Sequence, residues 1–173
     1  MSNLFVRDLQ DADVERVLDV LAAVVDEGRW LGMEPPLDRT ERAAQLRSDL
    51  AEGSRAHKVA VAGDAVVGHA VIDFTPYGVA NLSMFVAADW RGRGVGGALA
   101  VAAIAATKER NAHKLALQVW PHNHAARALY SRFGFLEEGQ LRRHYRRRNG
   151  ELWDAVVMGL VLDQESPGSP YHS

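Results

Sequence analysis

Residues 81–110 read NLSMFVAADWRGRGVGGALAVAAIAATKER, and this stretch decides the fold. The first six residues are rich in apolar side chains and favour a β-strand. The alanine-rich part, residues 94–110, favours a long helix. The segment 89–97, at the junction of the two elements, contains four glycines and two arginines. The stretch therefore predicts a strand–loop–helix unit with a basic, glycine-rich turn.

This junction predicts an anion-binding turn. The first backbone N–H groups of a helix have no intrahelical partner, and the helix dipole adds positive potential there. Glycines let a pyrophosphate approach this backbone closely, while Arg91 and Arg93 add charge-assisted donors. The anion that fits is a nucleotide-type cofactor. A turn that only lets the helix pack closely on its strand is the alternative.

Two common nucleotide motifs fit the junction poorly. The spacing Gly92-x-Gly94-x-x-Gly97 matches the dinucleotide fingerprint, which also needs a carboxylate about 20 residues further on to hold a ribose hydroxyl. The next predicted strand ends at Trp120 without an acid. A P-loop needs Lys followed by Ser or Thr after its glycines, and this pair is absent. These absences disfavour a nicotinamide cofactor and exclude a P-loop.

Hydrophobic periodicity and breaker residues divide the chain into elements in the order β-α-α-β-β-β-α-β-α-β-β. Hairpins are predicted at Gly63-Asp64 and at Asn149-Gly150. The predicted strands are residues 4–7, 57–62, 65–74, 81–86, 114–120, 141–148 and 151–162, and the predicted helices are residues 14–28, 38–53, 94–110 and 124–133. The fold class is α/β (α+β), with a mixed, mostly antiparallel twisted sheet of about seven strands and about four helices.

The composition is that of an ordinary globular chain. Its 173 residues include no cysteine, which excludes a disulfide framework, a thiolate metal site and a cysteine nucleophile. The formal net charge of −2 gives no general attraction to nucleic acid or to an anionic membrane. The first residues lack the basic and apolar regions of a signal peptide. We expect a soluble cytoplasmic protein with one domain, residues 1–162, and a frayed tail, residues 163–173.

Two motifs resemble those of the GNAT superfamily of acyl-CoA-dependent N-acetyltransferases. Arg91-x-x-Gly94-x-Gly96 resembles the pyrophosphate-binding motif of that family. The run Asn123-His-Ala-Ala-Arg-Ala-Leu-Tyr130-Ser-Arg-Phe-Gly134-Phe135 resembles its second signature. The resemblance covers residues 6–162 and implies acetyl-CoA (coenzyme A) as cofactor and a small-molecule amine as acceptor, in the small-molecule and amino-acid branch. Relatives are often dimers, so a homodimer agrees with the resemblance.

The resemblance also implies where the cofactor binds. Strands 81–86 and 114–120 would splay apart at one end, and the pantetheine arm would pair there with free backbone groups of Phe85, Val86 and Ala87. Asn123 would donate a hydrogen bond in the pantetheine or pyrophosphate region. The residues implied around the pyrophosphate are Arg91, Arg93, Gly94, Val95, Gly96, Gly97 and Ala98.

Tyr130 is implied as the general acid that protonates the departing thiolate. A phenol with a pKa near 10 can donate a proton to a thiolate of pKa about 8.5–10 once both are desolvated. A core aromatic on the inner face of its helix is the alternative for Tyr130.

The sequence departs from the family pattern at the proton acceptor for the amine. Many relatives carry a glutamate where this chain has Asn81, and others carry one where it has Gln118. Amides do not accept a proton in this pH range. Glu34 is the first candidate for the base and Asp73 the second, and a water chain is the alternative.

Three other features bear on the acceptor. The loop around Trp30 and the turn at Tyr77 are predicted to shape its pocket, together with Glu34, Asp73, Asn81 and Gln118. The histidines in 122–124 favour capping and cofactor packing, and no metal site is predicted. The basic run 142–148, read as a regular strand, is either an exposed hairpin that protects an edge or an attractor for an acidic acceptor or partner subunit.

Two classes of function follow. The first is an N-acetyltransferase that transfers acetyl to a primary amine by direct attack in a ternary complex, because no cysteine could carry the acyl group. Its acceptor is a small amine, an amino acid or analogue, or a protein N-terminus. The second is an acyl-CoA-binding sensor or regulatory module without turnover, which the amides at the usual base positions keep open.

Overall fold

The computed structural model describes residues 3–162. The tail predicted at residues 163–173 lies outside this range. The predicted element order is confirmed. In chain order the described elements are β1 (Leu4–Asp8), α1 (Val14–Asp26), α2 (Arg39–Glu52), β2 (Arg55–Ala62), β3 (Ala65–Phe74), β4 (Val79–Val86), α3 (Val95–Glu109), β5 (Lys114–Val119), α4 (His124–Arg132), β6 (Leu136–Arg146) and β7 (Leu152–Val161).

The strands form one mixed sheet in the order β1-β2-β3-β4-β5-β7-β6. Neighbouring strands are antiparallel except β4 and β5, which are parallel. A parallel pair needs a long crossover connection, and the alanine-rich α3 provides it. The predicted mostly antiparallel sheet with four helices is therefore confirmed.

Helices cover both faces of the sheet and bury two separate apolar cores. Leu99 of α3 packs with Ile72 of β3 on one face. On the other face Leu18 of α1 and Leu46 of α2 pack against Val59 of β2. Capping residues set both ends of α2. Its first turn is capped by the side chain of residue 38, and residue 53, a glycine, ends it in the left-handed conformation.

One extra residue interrupts the hairpin between β2 and β3. Ala62 pairs with Ala65, but Ala60 pairs with Gly68, so β3 carries a one-residue bulge. Because paired residues share a face, a shift of one residue turns the rest of β3 over. The bulge therefore directs His69 towards the side of the sheet that α1 and α2 cover.

β6 differs from its predicted bounds. It begins at Leu136 rather than at Leu141. The prediction missed this start because β6 is an edge strand whose side chains are mostly exposed on both faces and show no apolar alternation. The regular strand predicted for residues 142–148 is wrong. The pairing with β7 is interrupted between Leu141 and Tyr145, and Arg143 there has a positive φ of 50°.

Arg147 shows that the basic run is not simply an exposed hairpin. Arg147 is only 4% exposed, and its guanidinium lies 4.3 Å from the ring centre of Trp153 and 5.6 Å from that of Trp120. Arg147 Nη1 also donates to the carbonyl of Gly32 at 3.0 Å. A buried cation thus connects the β6–β7 hairpin to the loop that follows α1.

Candidate active site

The sheet opens between β4 and β5. The two strands pair only from Val79–Lys114 to Asn81–Ala116, although β4 continues to Val86. Beyond that point each strand is paired on its other side only, so two unsatisfied edges face each other across a cleft. An extended chain with amide groups could form hydrogen bonds to these edges.

The cleft ends at the three residues predicted to pair with pantetheine. Phe85 and Val86 lie on the open part of β4, but the backbone groups of Phe85 face β3 and pair with His69, so of these two residues only Val86 turns its backbone groups to the cleft. The Ala87 N–H, however, donates to the carbonyl of Val67 at 2.9 Å. The prediction of free backbone groups is therefore wrong for this N–H, because the bulge in β3 already uses it. The Val86 carbonyl accepts a hydrogen bond from Arg91 Nε at 3.2 Å.

The N-terminus of α3 lies directly after this end of β4. Gly92 and Gly94 have positive φ values of 73° and 84°, a conformation that glycine adopts without strain. The residues predicted at the pyrophosphate include four at the start of α3. Ala98 N–H is already bonded to the carbonyl of Gly94 at 3.0 Å. The N–H groups of residues 95–97 make no hydrogen bond among the described residues, so three amides at the positive end of the helix dipole can bind an anion.

The two arginines of the turn differ in their partners. Arg91 forms two hydrogen bonds to the carboxylate of Glu27, at 2.6 and 2.8 Å, and this contact lowers the pKa of Glu27. Arg93 is exposed, and its guanidinium lies 5.3 Å from the ring centre of Trp90. In the described part of the chain, Arg93 has no carboxylate partner. Arg93 is therefore available to a phosphate, whereas Arg91 braces the turn against the end of α1.

Tyr130 lies on α4 with its ring in the core below the cleft. The residue is 6% exposed, its ring packs 5.5 Å from that of Phe135, and burial raises the pKa of its hydroxyl well above the usual range. The hydroxyl makes no hydrogen bond to residues 3–162. No fully buried side-chain nitrogen or oxygen among these residues lacks a partner, so the hydroxyl must reach accessible space. The ring is part of the core, and the hydroxyl is a neutral donor without a hydrogen-bond partner among the described residues.

Asn123 begins α4 and uses its side chain as a cap. Its Oδ1 accepts from the N–H of Ala126 at 3.2 Å and so caps the first turn of the helix. The Nδ2 group remains as a donor. The neighbouring His122 bonds through Nε2 to the carbonyl of Arg29 at 2.8 Å. Within the described ranges no three His, Asp or Glu side chains converge as a metal site requires.

A cavity of about 330 Å³ lies on the other face of β4, below α1 and α2. Two predicted acceptor residues, Asp73 and Asn81, line it. Arg42 lines it too, and its only side-chain partner in residues 3–162 is Met33 Sδ at 3.4 Å. The cavity therefore combines a cation without a carboxylate partner, an acid and an amide. Its lining residues are Val17, Leu21, Leu31, Met33, Arg42, Gln45, Leu46, Asp49, Arg55, His57, His69, Val71, Asp73, Asn81, Ser83, Met84 and Phe85.

Two predicted acceptor residues form hydrogen bonds with the β6–β7 hairpin instead of facing the cavity. Glu34 accepts from the backbone N–H of Arg148 at 3.0 and 3.2 Å, so its contacts are those of a loop anchor and give no support to a role as base. Gln118 accepts a short hydrogen bond from the hydroxyl of Tyr145. Neither residue lines the cavity.

The two aromatic candidates also lie away from the cavity lining. Trp30 donates its indole N–H to Glu27 at 2.6 Å, beside the guanidinium of Arg91. Tyr77 is 85% exposed, at the turn between β3 and β4. Of the predicted acceptor residues, the structure thus brings Asp73 and Asn81 together and leaves Trp30 and Tyr77 outside.

Sequence reasoning missed a buried polar chain in the wall of the cavity. Asp49, His57 and His69 are 3%, 5% and 2% exposed. His57 Nε2 lies 3.0 Å from Asp49 Oδ2, and His57 Nδ1 lies 3.2 Å from His69 Nε2. The signal in the sequence is two histidines on the two strands of one predicted hairpin, but their shared face depends on the bulge.

Comparison with known proteins agrees with this geometry. Residues 22–135, more than half of the chain, match the model of the Acetyltransferase (GNAT) family. An L-methionine sulfoximine/L-methionine sulfone acetyltransferase of Pseudomonas paraeruginosa is 28% identical over 166 residues, which cover 91% of this chain and 94% of that protein. A proposed ribosomal protein bS18-alanine N-acetyltransferase of Bacillus subtilis is 36% identical over 76 residues, and the match spans about half of its length, 48%.

The fold is shared with a solved structure that holds the cofactor. A GNAT superfamily phosphinothricin acetyltransferase from Sinorhizobium meliloti, in complex with acetyl-CoA, superposes with a TM-score of 0.84 at 20% identity, over 99% of this chain and 95% of that one. No helix in residues 3–162 is long and apolar enough to cross a membrane. The family match and the opened sheet lead to one conclusion: the chain belongs to the GNAT family of acetyl-CoA-dependent N-acetyltransferases.

Proposed function

We propose that this enzyme acetylates the primary amine of a small amino-acid-like acceptor by direct attack within a ternary complex. The observation that carries the proposal is the cavity of about 330 Å³ on the face of β4 opposite α3. Its volume suits a small ligand. Arg42 provides a cation for a carboxylate, and Asp73 provides an acid for an ammonium group.

The donor side of the proposal uses the cleft and the start of α3. Backbone groups of Val86 would pair with the pantetheine arm, and Asn123 Nδ2 would donate to the same region. The N–H groups of residues 95–97 and the guanidinium of Arg93 would hold the pyrophosphate. Bound acetyl-CoA supplies the activated acyl group.

Tyr130 is the proposed general acid. Its hydroxyl has no competing partner among the described residues, and its raised pKa keeps it protonated at neutral pH. A thiolate formed in the same water-poor surroundings also has a raised pKa, which transfer from this phenol requires. The acceptor nitrogen bonds to the carbonyl carbon as the C–S bond breaks, and the Tyr130 proton goes to the sulfur. With no cysteine in the chain, attack by the acceptor itself is the available route.

The names of two related proteins support the acceptor class. The Pseudomonas relative is named for L-methionine sulfoximine and L-methionine sulfone, which are α-amino acids, and the Sinorhizobium structure for phosphinothricin. The Bacillus relative is named for an alanine of a ribosomal protein, which makes a protein N-terminus the competing acceptor.

The test is release of CoA from acetyl-CoA with a panel of amines. The panel pairs each α-amino acid with its amide, which lacks the carboxylate, and adds an alkylamine and a peptide with an N-terminal alanine. We expect amino acids to react faster than their amides, and Arg42→Gln to remove that preference. Faster reaction of the peptide would favour the protein acceptor.

Two further results bear on the chemistry. Thermal stabilisation by acetyl-CoA without CoA release from any amine would make the protein a sensor and end the proposal. Tyr130→Phe should lower kcat about 10²- to 10⁴-fold. It should leave the thermal midpoint unchanged, because the hydroxyl makes no hydrogen bond to the described residues. An unchanged kcat would remove Tyr130 as the acid.

A further inference from the structure

The usual carboxylates are missing at Asn81 and Gln118, and Asp73, the second candidate for the base, is paired with Arg55 at 3.1 Å. The buried chain of Asp49, His57 and His69 lies in the wall of the same cavity. We propose that His69 is the proton acceptor for the acceptor amine, and that His57 and Asp49 carry the proton away. This inference rests on the proposed transfer to an amine in this cavity.

The position of His69 follows from the pairing of three strands. Val59 of β2, His69 of β3 and Phe85 of β4 are neighbours in one row across the sheet. Phe85 lies on the open part of β4, so His69 is one strand away from the cleft where the thioester would lie. The ring centres of His69 and Phe85 also lie 5.6 Å apart, in an edge-to-face arrangement. His69 thus lies between the cavity and the reacting end of β4.

The direction of proton transfer follows from which ring nitrogens of His57 and His69 donate a hydrogen bond and which accept one. Burial lowers the pKa of His69 to about 3 and also lowers the pKa of His57, so both rings are neutral at pH 7. A neutral imidazole has one donor and one acceptor nitrogen. Because Asp49 can only accept, the proton of His57 must be on Nε2, and its Nδ1 must accept from His69 Nε2–H. The acceptor nitrogen that remains is Nδ1 of His69.

His69 Nδ1 has no partner among residues 3–162, and the ring lines the cavity. When the amine nitrogen forms its bond to the acyl carbon, its proton goes to His69 Nδ1. The Nε2 proton of His69 goes to His57 Nδ1, and the Nε2 proton of His57 goes to Asp49. One proton enters the chain, one arrives at Asp49, and no charge is left on either ring.

A second cavity, which Asp49 also lines, provides a place where this proton can pass to water. It has a volume of about 280 Å³ and lies between the ends of α2 and α3. Asp49 and His57 line both cavities, whereas His69 lines only the acceptor cavity. The three side chains therefore connect the reacting site to a separate opening.

Charged and polar side chains hold Asp49 in position at the end of the relay. From α2, Asp49 and Arg42 face the acceptor cavity, and from β2 and β3 Arg55 and Asp73 do so, whereas α1 and β4 contribute no titratable side chain to its lining. Arg55 lies 3.4 Å from Asp49 and 3.1 Å from Asp73. Gln45 Nε2 donates to the second oxygen of Asp49 at 2.8 Å. These contacts fix the carboxylate that receives the proton.

The first test reads the tautomers directly, without turnover. Nitrogen-15 NMR of the histidine rings at pH 7 should show the proton on Nε2 in both His57 and His69. Addition of CoA and an alkylamine should shift His69 Nδ1 and leave the exposed His144 unchanged. A proton on His69 Nδ1 would overturn the inference, whatever the enzyme does with amines.

The second test measures kcat with saturating acetyl-CoA between pH 6 and pH 10. His69→Gln keeps a polar side chain but lacks a basic nitrogen, and should lower kcat at pH 7 about 10²- to 10³-fold. The loss should shrink as pH rises, because the acceptor then loses its proton to water. Asp49→Asn should show the same profile with a smaller loss, while acetyl-CoA affinity should remain that of wild type in both variants.

His144→Gln, at an exposed position outside the site, is the matched control and should keep the wild-type profile. Equal kcat and equal pH profiles for His69→Gln and wild type would overturn the relay while leaving the transfer itself established. Absence of CoA release by the wild type is a different failure. It would end the proposed function, and the tautomer measurement would still decide whether the chain is arranged to carry a proton.

Discussion

Glu27, the residue directly after α1, binds Arg91 of the glycine-rich turn with both carboxylate oxygens, at 2.6 and 2.8 Å. Arg91 is thus neutralised before any phosphate arrives, whereas Arg93 on the same turn has no such partner within the described residues. The two arginines of one motif therefore have separable roles.

The first prediction separates these roles. Arg93→Ala should weaken acetyl-CoA binding about tenfold, which is about 1.4 kcal/mol, and the loss should shrink at high salt because it is electrostatic. Arg91→Ala should lower the thermal midpoint more than Arg93→Ala does, because it releases the turn from α1. Calorimetric titration and thermal unfolding of both variants measure the two effects. An Arg91→Ala variant that loses affinity without losing stability would contradict this division.

The second prediction concerns two adjacent glycines of α3. A Cβ at Gly97 would lie 3.8 Å from the ring of Phe133, which is ordinary contact, whereas a Cβ at Gly96 would lie 2.9 Å from Leu129 Cδ2. Alanine favours a helix by up to about 1 kcal/mol over glycine. Gly97→Ala should therefore raise the thermal midpoint by about 2–4 °C. Gly96→Ala should gain nothing and should lower kcat, because Leu129 precedes Tyr130 on α4.

Thermal unfolding and CoA-release kinetics of the two alanine variants check this difference. If Gly96→Ala and Gly97→Ala behaved alike in both measurements, close packing of α3 on α4 would not explain why residue 96 is glycine.

The third prediction concerns the buried cation of the β6–β7 hairpin. Arg147→Ala should destabilise the protein by about 3 kcal/mol, because it empties the space between Trp120 and Trp153 and removes the bond to Gly32. Its exposed neighbour is the control, since Arg146→Ala should change stability by less than about 0.5 kcal/mol. Urea unfolding of the two variants gives the comparison. Similar losses for both would mean that burial of the cation contributes nothing.

The fourth prediction is a pH dependence of stability. The pKa of His69 is lowered to about 3 in the folded protein and returns to about 6.5 in the unfolded chain. Between these values the unfolded chain binds a proton that the folded one does not, so stability must fall as pH falls from 6.5 towards 3. At pH 4 this histidine alone should account for a loss of about 3 kcal/mol relative to pH 7.

Urea unfolding of wild type and His69→Gln at several pH values tests the sign. The stability difference between the two proteins should change by that amount across the range, in favour of the variant at low pH. A constant difference would mean that His69 is not a buried neutral base.

Much of the fold could be predicted because its signals are local. The cap at Asp38, the glycine at 53 and the alanine-rich run of α3 each fix an element through neighbouring residues. The early start of β6 could not be predicted in this way. That strand lies at the edge of the sheet, so Leu136 and Glu137 are exposed and leave no apolar alternation to read.

The site divides along the same line. The glycine-rich turn and Tyr130 belong to contiguous motifs, so the sequence locates them. The chain of Asp49, His57 and His69 is assembled from α2, β2 and β3, and a regular hairpin register would have put the two histidines on opposite faces. The one-residue bulge in β3 puts the two histidines on the same face, and neither the composition nor the spacing of the sequence predicts this bulge.

The opening between β4 and β5 has a consequence for the protein as a material. Past Asn81 and Ala116, two strands in the middle of the sheet present bare backbone edges, the feature that natural proteins usually hide to avoid sticking to one another. On the proposed function, bound acetyl-CoA would cover these edges. We therefore expect protein free of acetyl-CoA to self-associate more readily through these edges than protein with acetyl-CoA bound.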